Sequence, residues 1–148
     1  MSVSFPRWID GPPKYEYFSF IGDNEDGYAS EYMTIKANAL TPIPNDWSLQ
    51  EAATLPCAGL TAWRAIMEEG NLQPNETILV QWSGGVSIFA LQLAKAHGAN
   101  VIATTSSDEK AEKLKSLGAD EVVNYKEHPQ WGKEVLKLTA NVGVDHVV

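Results

Sequence analysis

From residue 77 onward the sequence alternates between two hydrophobic periods, and few folds accommodate that. An apolar run at 77–81 leads to an amphipathic stretch at 85–97, with Val86, Phe89, Ala90 and Leu93 on one stripe. A second apolar run at 100–105 leads to a helical pattern at 108–117 that Gly118 closes. A third run at 121–125 leads to a helix near 129–140, and a fourth strand opens at Asp145. Parallel strands need a crossover of a dozen or more residues, usually a helix. Strands and helices at this spacing therefore predict βαβ units, and right-handed crossovers make them a doubly wound, Rossmann-like half of an α/β fold.

The turn after the first strand reads Leu79-Val-Gln-Trp-Ser-Gly-Gly85. Gly84 and Gly85 carry no Cβ, so they allow close approach of a ligand and positive φ angles. The helix behind them aims its first amides, including that of Val86, at whatever anion lies in front. Alone, the pair fits a tight βα turn in any parallel sheet equally well. About 20 residues further on, an Asp or Glu at the end of the second strand would favour NAD by bonding the ribose hydroxyls. Here the stretch is Thr104-Thr-Ser-Ser-Asp-Glu-Lys110, with hydroxyls in place of the carboxylate and a lysine one turn into the helix. That composition suits a 2′-phosphate and predicts NADP(H) over NAD(H). Ser106 equally reads as a helix cap completed by Glu109, and Lys110 as a solvated residue.

Ahead of the alternating part, residues 1–27 read as irregular, with aromatics at Tyr15, Tyr17, Phe18 and Phe20 and an acidic cluster at 23–26. Residues 28–36 alternate well enough for a strand. Pro42 and Pro44 break the chain, and Ser48 and Glu51 have capping-box spacing for a short helix ending by Pro56. A second helix is expected from Gly59, with Leu60, Trp63 and Met67 on one face and Gly70 as its stop. Residues 73–76 read as a turn. The lone early strand and the sheet's fourth strand at the far end predict that both ends are cuts in a longer protein.

Charge narrows the partners. Nineteen acidic and 11 basic residues give a formal net charge of −8, a poor match for nucleic acid or anionic lipid. No apolar run is long enough to span a bilayer, and the first residues lack a signal-peptide core. The single cysteine, Cys57, excludes an internal disulfide and suits a reducing, cytoplasmic setting.

Five segments in order carry a resemblance: Gly27-Tyr-Ala-Ser-Glu-Tyr32, Glu51-Ala-Ala-Thr-Leu-Pro56, Ala58-Gly-Leu-Thr-Ala-Trp63, Gly84-Gly-Val-Ser-Ile-Phe89 and Leu117-Gly-Ala-Asp120. Together they resemble the medium-chain dehydrogenase/reductase superfamily, and within it the zinc-independent, quinone-oxidoreductase-like alcohol dehydrogenases. The resemblance implies that residues 1–55 are the remnant of a GroES-like catalytic domain and residues 56–148 the first half of the cofactor domain. It further implies NADP(H) contacts at Thr61 near the nicotinamide, and at Ser83, Gly84, Gly85 and Val86 along the pyrophosphate. Ser106, Lys110 and Tyr125 would surround the adenosine 2′-phosphate. Thr61 also reads simply as a helix N-terminal residue, and Tyr125 as an edge-strand aromatic.

Trp82 departs from the family pattern, which commonly has glycine there. An indole beside the turn takes positive φ only with strain and could fill the pyrophosphate's path, so weakened cofactor binding is expected. Cys57 lies in a stretch resembling one that supplies a zinc ligand in the zinc alcohol dehydrogenases. A catalytic zinc needs three protein ligands, and His97, His128 and His146 are scattered, so no metal is expected and Cys57 reads as a small core residue. It has no evident base as a nucleophile, and no catalytic residue is assigned. The resemblance implies hydride transfer between the nicotinamide and a small carbonyl, alcohol, enone or quinone, with a homodimer left open and neither nucleic acid nor membrane as partner. Two other readings compete: a non-catalytic, cofactor-binding remnant, and a different nucleotide-binding domain such as an adenosyl-methionine methyltransferase.

Overall fold

The computed structural model describes residues 1–2, 5–18, 22 and 26–148. They form two compact units, Met1–Cys57 and Ala58–Val148.

In the first unit regular structure is short. Two single-turn 3₁₀ helices, Tyr15–Tyr17 and Ala37–Ala39, and one α-helix, α1 (Leu49–Ala52), punctuate loops. The expected capping box forms in full: Glu51 N–H donates to Ser48 Oγ at 3.2 Å, and Ser48 N–H to Glu51 Oε2 at 2.9 Å. The Ser48 hydroxyl, donating to Glu51 Oε2 at 2.7 Å, and then the Ser48 N–H hold the Glu51 carboxyl below its ordinary pKa. The aromatics assemble differently from the expected patch. Phe18 packs edge-on against Phe5 at 5.4 Å, Tyr15 is exposed, and Phe20 and the residues 23–25 of the acidic cluster lie outside the described residues.

Residues 28–36 are not a strand. Their alternation is genuine, but a strand exists only where a second one accepts its hydrogen bonds. The bridge described in this unit instead pairs Ser2 with Leu40, antiparallel, leaving Tyr32 91% exposed.

The second unit follows the alternating pattern closely. Four parallel strands, β1 (Thr77–Val80), β2 (Asn100–Thr105), β3 (Glu121–Asn124) and β4 (His146–Val147), lie in the order β3-β2-β1-β4. Between them run α3 (Gly85–Ala96), α4 (Asp108–Ser116) and α5 (Trp131–Leu138). The period-2 geometry of a strand divides the core in two. Ile78, Val80, Val101 and Ala103 pack on one face with Ala90, Leu91, Ala94 and Leu114. Leu79, Ile102 and Val123 pack on the other with Val135 of α5. Covering on both faces explains why these strands read as continuous apolar runs.

The helical stretch before β1 is less regular than its apolar stripe suggests. An α-helical turn, α2 (Leu60–Trp63), sits between two π-helical segments, Leu55–Gly59 and Arg64–Glu69. Gly70 ends the run, though not in the left-handed conformation expected of a helix stop: its φ is −76°. Its N–H reaches back five residues to Ala65 O at 2.9 Å, and a Cβ there would meet that oxygen at 2.8 Å. Close approach of backbone, rather than positive φ, explains this glycine. Gly98 and Gly118 do close α3 and α4 with φ of +89° and +107°.

Candidate functional site

In an open parallel sheet, ligands bind beyond the carboxyl ends of the strands. The residues collected there are those of the β1–α3 turn and the ends of β2 and β3. Gly84 begins the helix as its N-cap with an extended backbone (φ −81°, ψ 174°) and supplies no side-chain cap. Ile88 N–H donates to Gly84 O at 3.0 Å, which leaves the amides of Gly85, Val86 and Ser87 without an intrahelical acceptor. A Cβ on Gly84 would meet nothing within 4 Å, so the loop backbone is open on that side. Gly85 has a different reason to be glycine: its Cβ would come within 3.3 Å of Ala58 Cβ. Ala58 thus packs on the first turn of α3, and Thr61, three residues further along the same helical stretch, is exposed.

Neither glycine takes the positive φ expected of it. The left-handed residue of the turn is Trp82, at φ +65°. Five non-glycine residues among those described have positive φ, and three of them, Asn71, Asn75 and Asn141, are the asparagines that tolerate it. A tryptophan does not share that tolerance, and its indole is 61% exposed. The backbone around it is pinned from both sides. Trp82 N–H donates to Thr104 Oγ1 at 3.1 Å, and Ser87 Oγ donates to Gln81 O at 2.5 Å. Thr104 and Ser87 are both buried. Neither was visible as a loop anchor in the sequence; hydroxyls ending an otherwise apolar strand, or facing inward on a helix's first turn, are the signal.

At the end of β2 the cap falls one residue later than expected. Ser107, not Ser106, is the N-cap of α4, with its Oγ accepting from Lys110 N–H at 3.5 Å. Ser106 is half-buried and has no capping duty. Tyr125 N–H donates to Thr105 O at 2.9 Å, so Tyr125 continues the β2–β3 pairing past its last registered pair, Thr105 with Asn124, and stands beside Ser106. Lys110 is exposed, and its ammonium has no ion-pair partner among the described residues. Asp108 opens α4, where its charge suits the helix terminus, and Asn124 Nδ2 donates to its Oδ1 at 3.4 Å. Thr105 is 1% exposed, and its Oγ1 has no hydrogen-bond partner among the described residues.

The structure thus gathers Ser83, Gly84, Gly85 and Val86 at the helix start, and Ser106 and Tyr125 at the neighbouring strand ends. Lys110 lies one turn into α4. Other features lie elsewhere. A cavity of about 490 Å³ sits near the far end of α3, between Trp63, Met67, Leu93 and His97. Another, about 350 Å³, lies over β3 between α4 and α5. His146 Nε2 lies 2.9 Å from Glu76 Oε2 before β1. Gln73 N–H, then His146, hold that carboxyl below its ordinary pKa. Cys57 is exposed rather than buried as expected, and no group of three or more His, Cys, Asp or Glu among the described residues could hold a metal. No helix among the described residues is long and apolar enough to cross a membrane.

Comparison with known proteins agrees with this geometry. Residues 85–148 match the family model described as zinc-binding dehydrogenase. A zinc-type alcohol dehydrogenase-like protein of Schizosaccharomyces pombe is 45% identical over 147 residues, covering 97% of this chain and 42% of its own length. A solved NAD-dependent alcohol dehydrogenase superposes with a TM-score of 0.81 at 42% identity, over 87% of this chain and 38% of that one. A mycobacterial protein solved in complex with NADPH superposes with a TM-score of 0.69 at 34% identity, over 75% of this chain and 34% of that one. The chain therefore spans less than half the length of each of these relatives. With its half-sheet order, its turn before α3 and these relatives together, the chain belongs to the medium-chain dehydrogenase/reductase family.

Proposed function

We propose that this chain is the cofactor-binding part of an NADP(H)-dependent oxidoreductase of the zinc-independent, quinone-oxidoreductase-like branch. One observation carries the reading: the amides of Gly85, Val86 and Ser87 are uncapped at the carboxyl edge of a parallel sheet, beside the open face of Gly84. Unsatisfied N–H groups at the positive end of a twelve-residue helix suit a diphosphate, so the residues present fit the cofactor. Beyond β2, the hydroxyl of Ser106, the ring of Tyr125 and the ammonium of Lys110, without an ion-pair partner among the described residues, suit a phosphorylated ribose, and no carboxylate occupies 104–107. The NADPH-bound neighbour supports the phosphorylated cofactor and the NAD-dependent one supports its unphosphorylated counterpart. Lys110 favours the former.

When bound, the nicotinamide would supply the hydride, exchanged with a carbonyl, alcohol, enone or quinone. The chain's own residues bind and orient. Helix amides would donate hydrogen bonds to the diphosphate, Thr61 would border the nicotinamide end, and the α2–α3 packing would set the distance between the two. Acid–base chemistry is assigned to none of the described side chains.

Titration of this chain with NADPH and NADH, followed by enhancement of nicotinamide fluorescence, tests the cofactor. NADPH should bind tighter, and Lys110→Ala should remove about tenfold of that preference, equivalent to about 1.4 kcal/mol, while leaving NADH unchanged. No saturable binding of either would refute the reading. Oxidation of NADPH with a quinone and enone panel separates a catalyst from a binding remnant.

A further inference from the structure

We infer that the indole of Trp82 is a plug on the diphosphate site and sets its affinity; the inference rests on the dinucleotide reading above. The backbone at residue 82 is left-handed because its neighbours make it so. Thr104 holds its N–H and Ser87 holds the carbonyl of Gln81, both from buried positions. A glycine would meet that demand without steric cost, whereas an L-residue in this conformation loses roughly 1–2 kcal/mol to the clash of Cβ with backbone. Among the described residues nothing polar or aromatic compensates. The indole is 61% exposed, and among the described residues its Nε1 makes no hydrogen bond and its ring no aromatic contact. Strain held at a turn by anchored neighbours, with a bulky group standing outward, points to a role at that turn rather than in the core.

The turn is short. Trp82 lies two residues before Gly84, whose missing Cβ faces open space, and three before the first uncapped amide of α3. A diphosphate seated on those amides would come within reach of an indole two residues back, so ring and ligand would compete for the space in front of the turn. A ligand confined to the end of β2, contacting Ser106, Lys110 and Tyr125, would not meet it.

Calorimetric titration of the chain and of its Trp82→Gly and Trp82→Ala variants with three ligands tests this. NADPH and ADP-ribose carry the diphosphate; adenosine 2′-monophosphate does not. Both variants should bind NADPH and ADP-ribose at least about tenfold tighter than the parent chain, with adenosine 2′-monophosphate unchanged within about twofold. Alanine retains the Cβ and its strain but removes the ring, so equal gains in both variants assign the effect to bulk. A gain confined to Trp82→Gly would assign it to backbone freedom and overturn the plug. Equal affinities in all three chains would overturn it too, as would tighter binding by the parent, for which the ring would be a stacking shelf. If no chain, Trp82→Gly included, binds NADPH, the dinucleotide reading itself fails and takes the plug with it. Circular dichroism confirms that the variants are folded.

Discussion

Replacing Trp82 by glycine and by alanine should give stabilities in an order opposite to that of an ordinary surface site. Both variants lose the same covered part of the indole, the 39% left by its 61% exposure. On a side chain of some 250 Å² that is about 100 Å², or at most about 2.5 kcal/mol at 25 cal/mol per Å². The loss is common to the pair and cancels in their difference. What remains is the backbone. At φ +65° a Cβ costs roughly 1–2 kcal/mol, which glycine avoids. Glycine returns about 0.4–1 kcal/mol of that through the greater freedom of its unfolded chain. Trp82→Gly should therefore be more stable than Trp82→Ala by about 0.5–1 kcal/mol, whereas in a regular element glycine is the less stable by a similar amount. Urea unfolding followed by far-ultraviolet circular dichroism gives the difference, provided the two variants share one slope. Alanine equal to or more stable than glycine would refute the left-handed turn, and with it the account of why an indole at this position is unusual.

The two serines at the end of β2 should separate by assay. Ser107→Ala should cost about 0.5–1 kcal/mol in urea unfolding, the low end for a lost cap because its bond to Lys110 N–H is 3.5 Å, and Ser106→Ala should leave stability unchanged while weakening NADPH. Gly70→Ala should destabilise by roughly 1–3 kcal/mol, since its Cβ would lie 2.8 Å from Ala65 O and 3.0 Å from Ile66 O, both main-chain atoms; a thermal midpoint equal to the parent's would refute the close approach. Asp120 gives a pH dependence. Burial pushes its carboxyl up, but the Lys95 ammonium at 2.8 Å and the Val101 amide at 2.7 Å outweigh that and hold it below the ordinary 3.8. A lowered folded value means that its contribution is present above the unfolded pKa and is lost as pH falls through the folded one. Asp120→Asn should then cost roughly 1 kcal/mol at neutral pH, discounted for its exposure, and nothing at the acid end, where the two stability curves should meet.

Much of the second unit was legible because each strand and helix there carries its period within a dozen residues. Ile78, Val80, Val101 and Ala103 on one face and Leu79 and Ile102 on the other are buried, so the middle of each run is apolar whatever direction a residue points. Local chemistry was equally readable where both partners are neighbours in sequence, as with Ser48 and Glu51. The candidate site was half legible. Gly84, Gly85 and Val86 announced a turn before a helix, and the serines and Lys110 announced a polar end to β2.

Tertiary structure decided what depends on distant residues. Whether 28–36 forms a strand depends on a pairing partner that alternation cannot supply. Which of two adjacent serines caps α4 depends on where β2 stops pairing with β3. The reason for each glycine also came from its surroundings: Ala58 beside Gly85, open space beside Gly84, the Ala65 carbonyl beside Gly70. The sequence by itself determined a parallel half-sheet with a glycine-bearing turn before its first crossover helix, because hydrophobic period and loop length are local properties. Only the folded chain put the left-handed strain on Trp82, because φ at that residue is set by hydroxyls on Thr104 and Ser87, one in the neighbouring strand and one in the following helix.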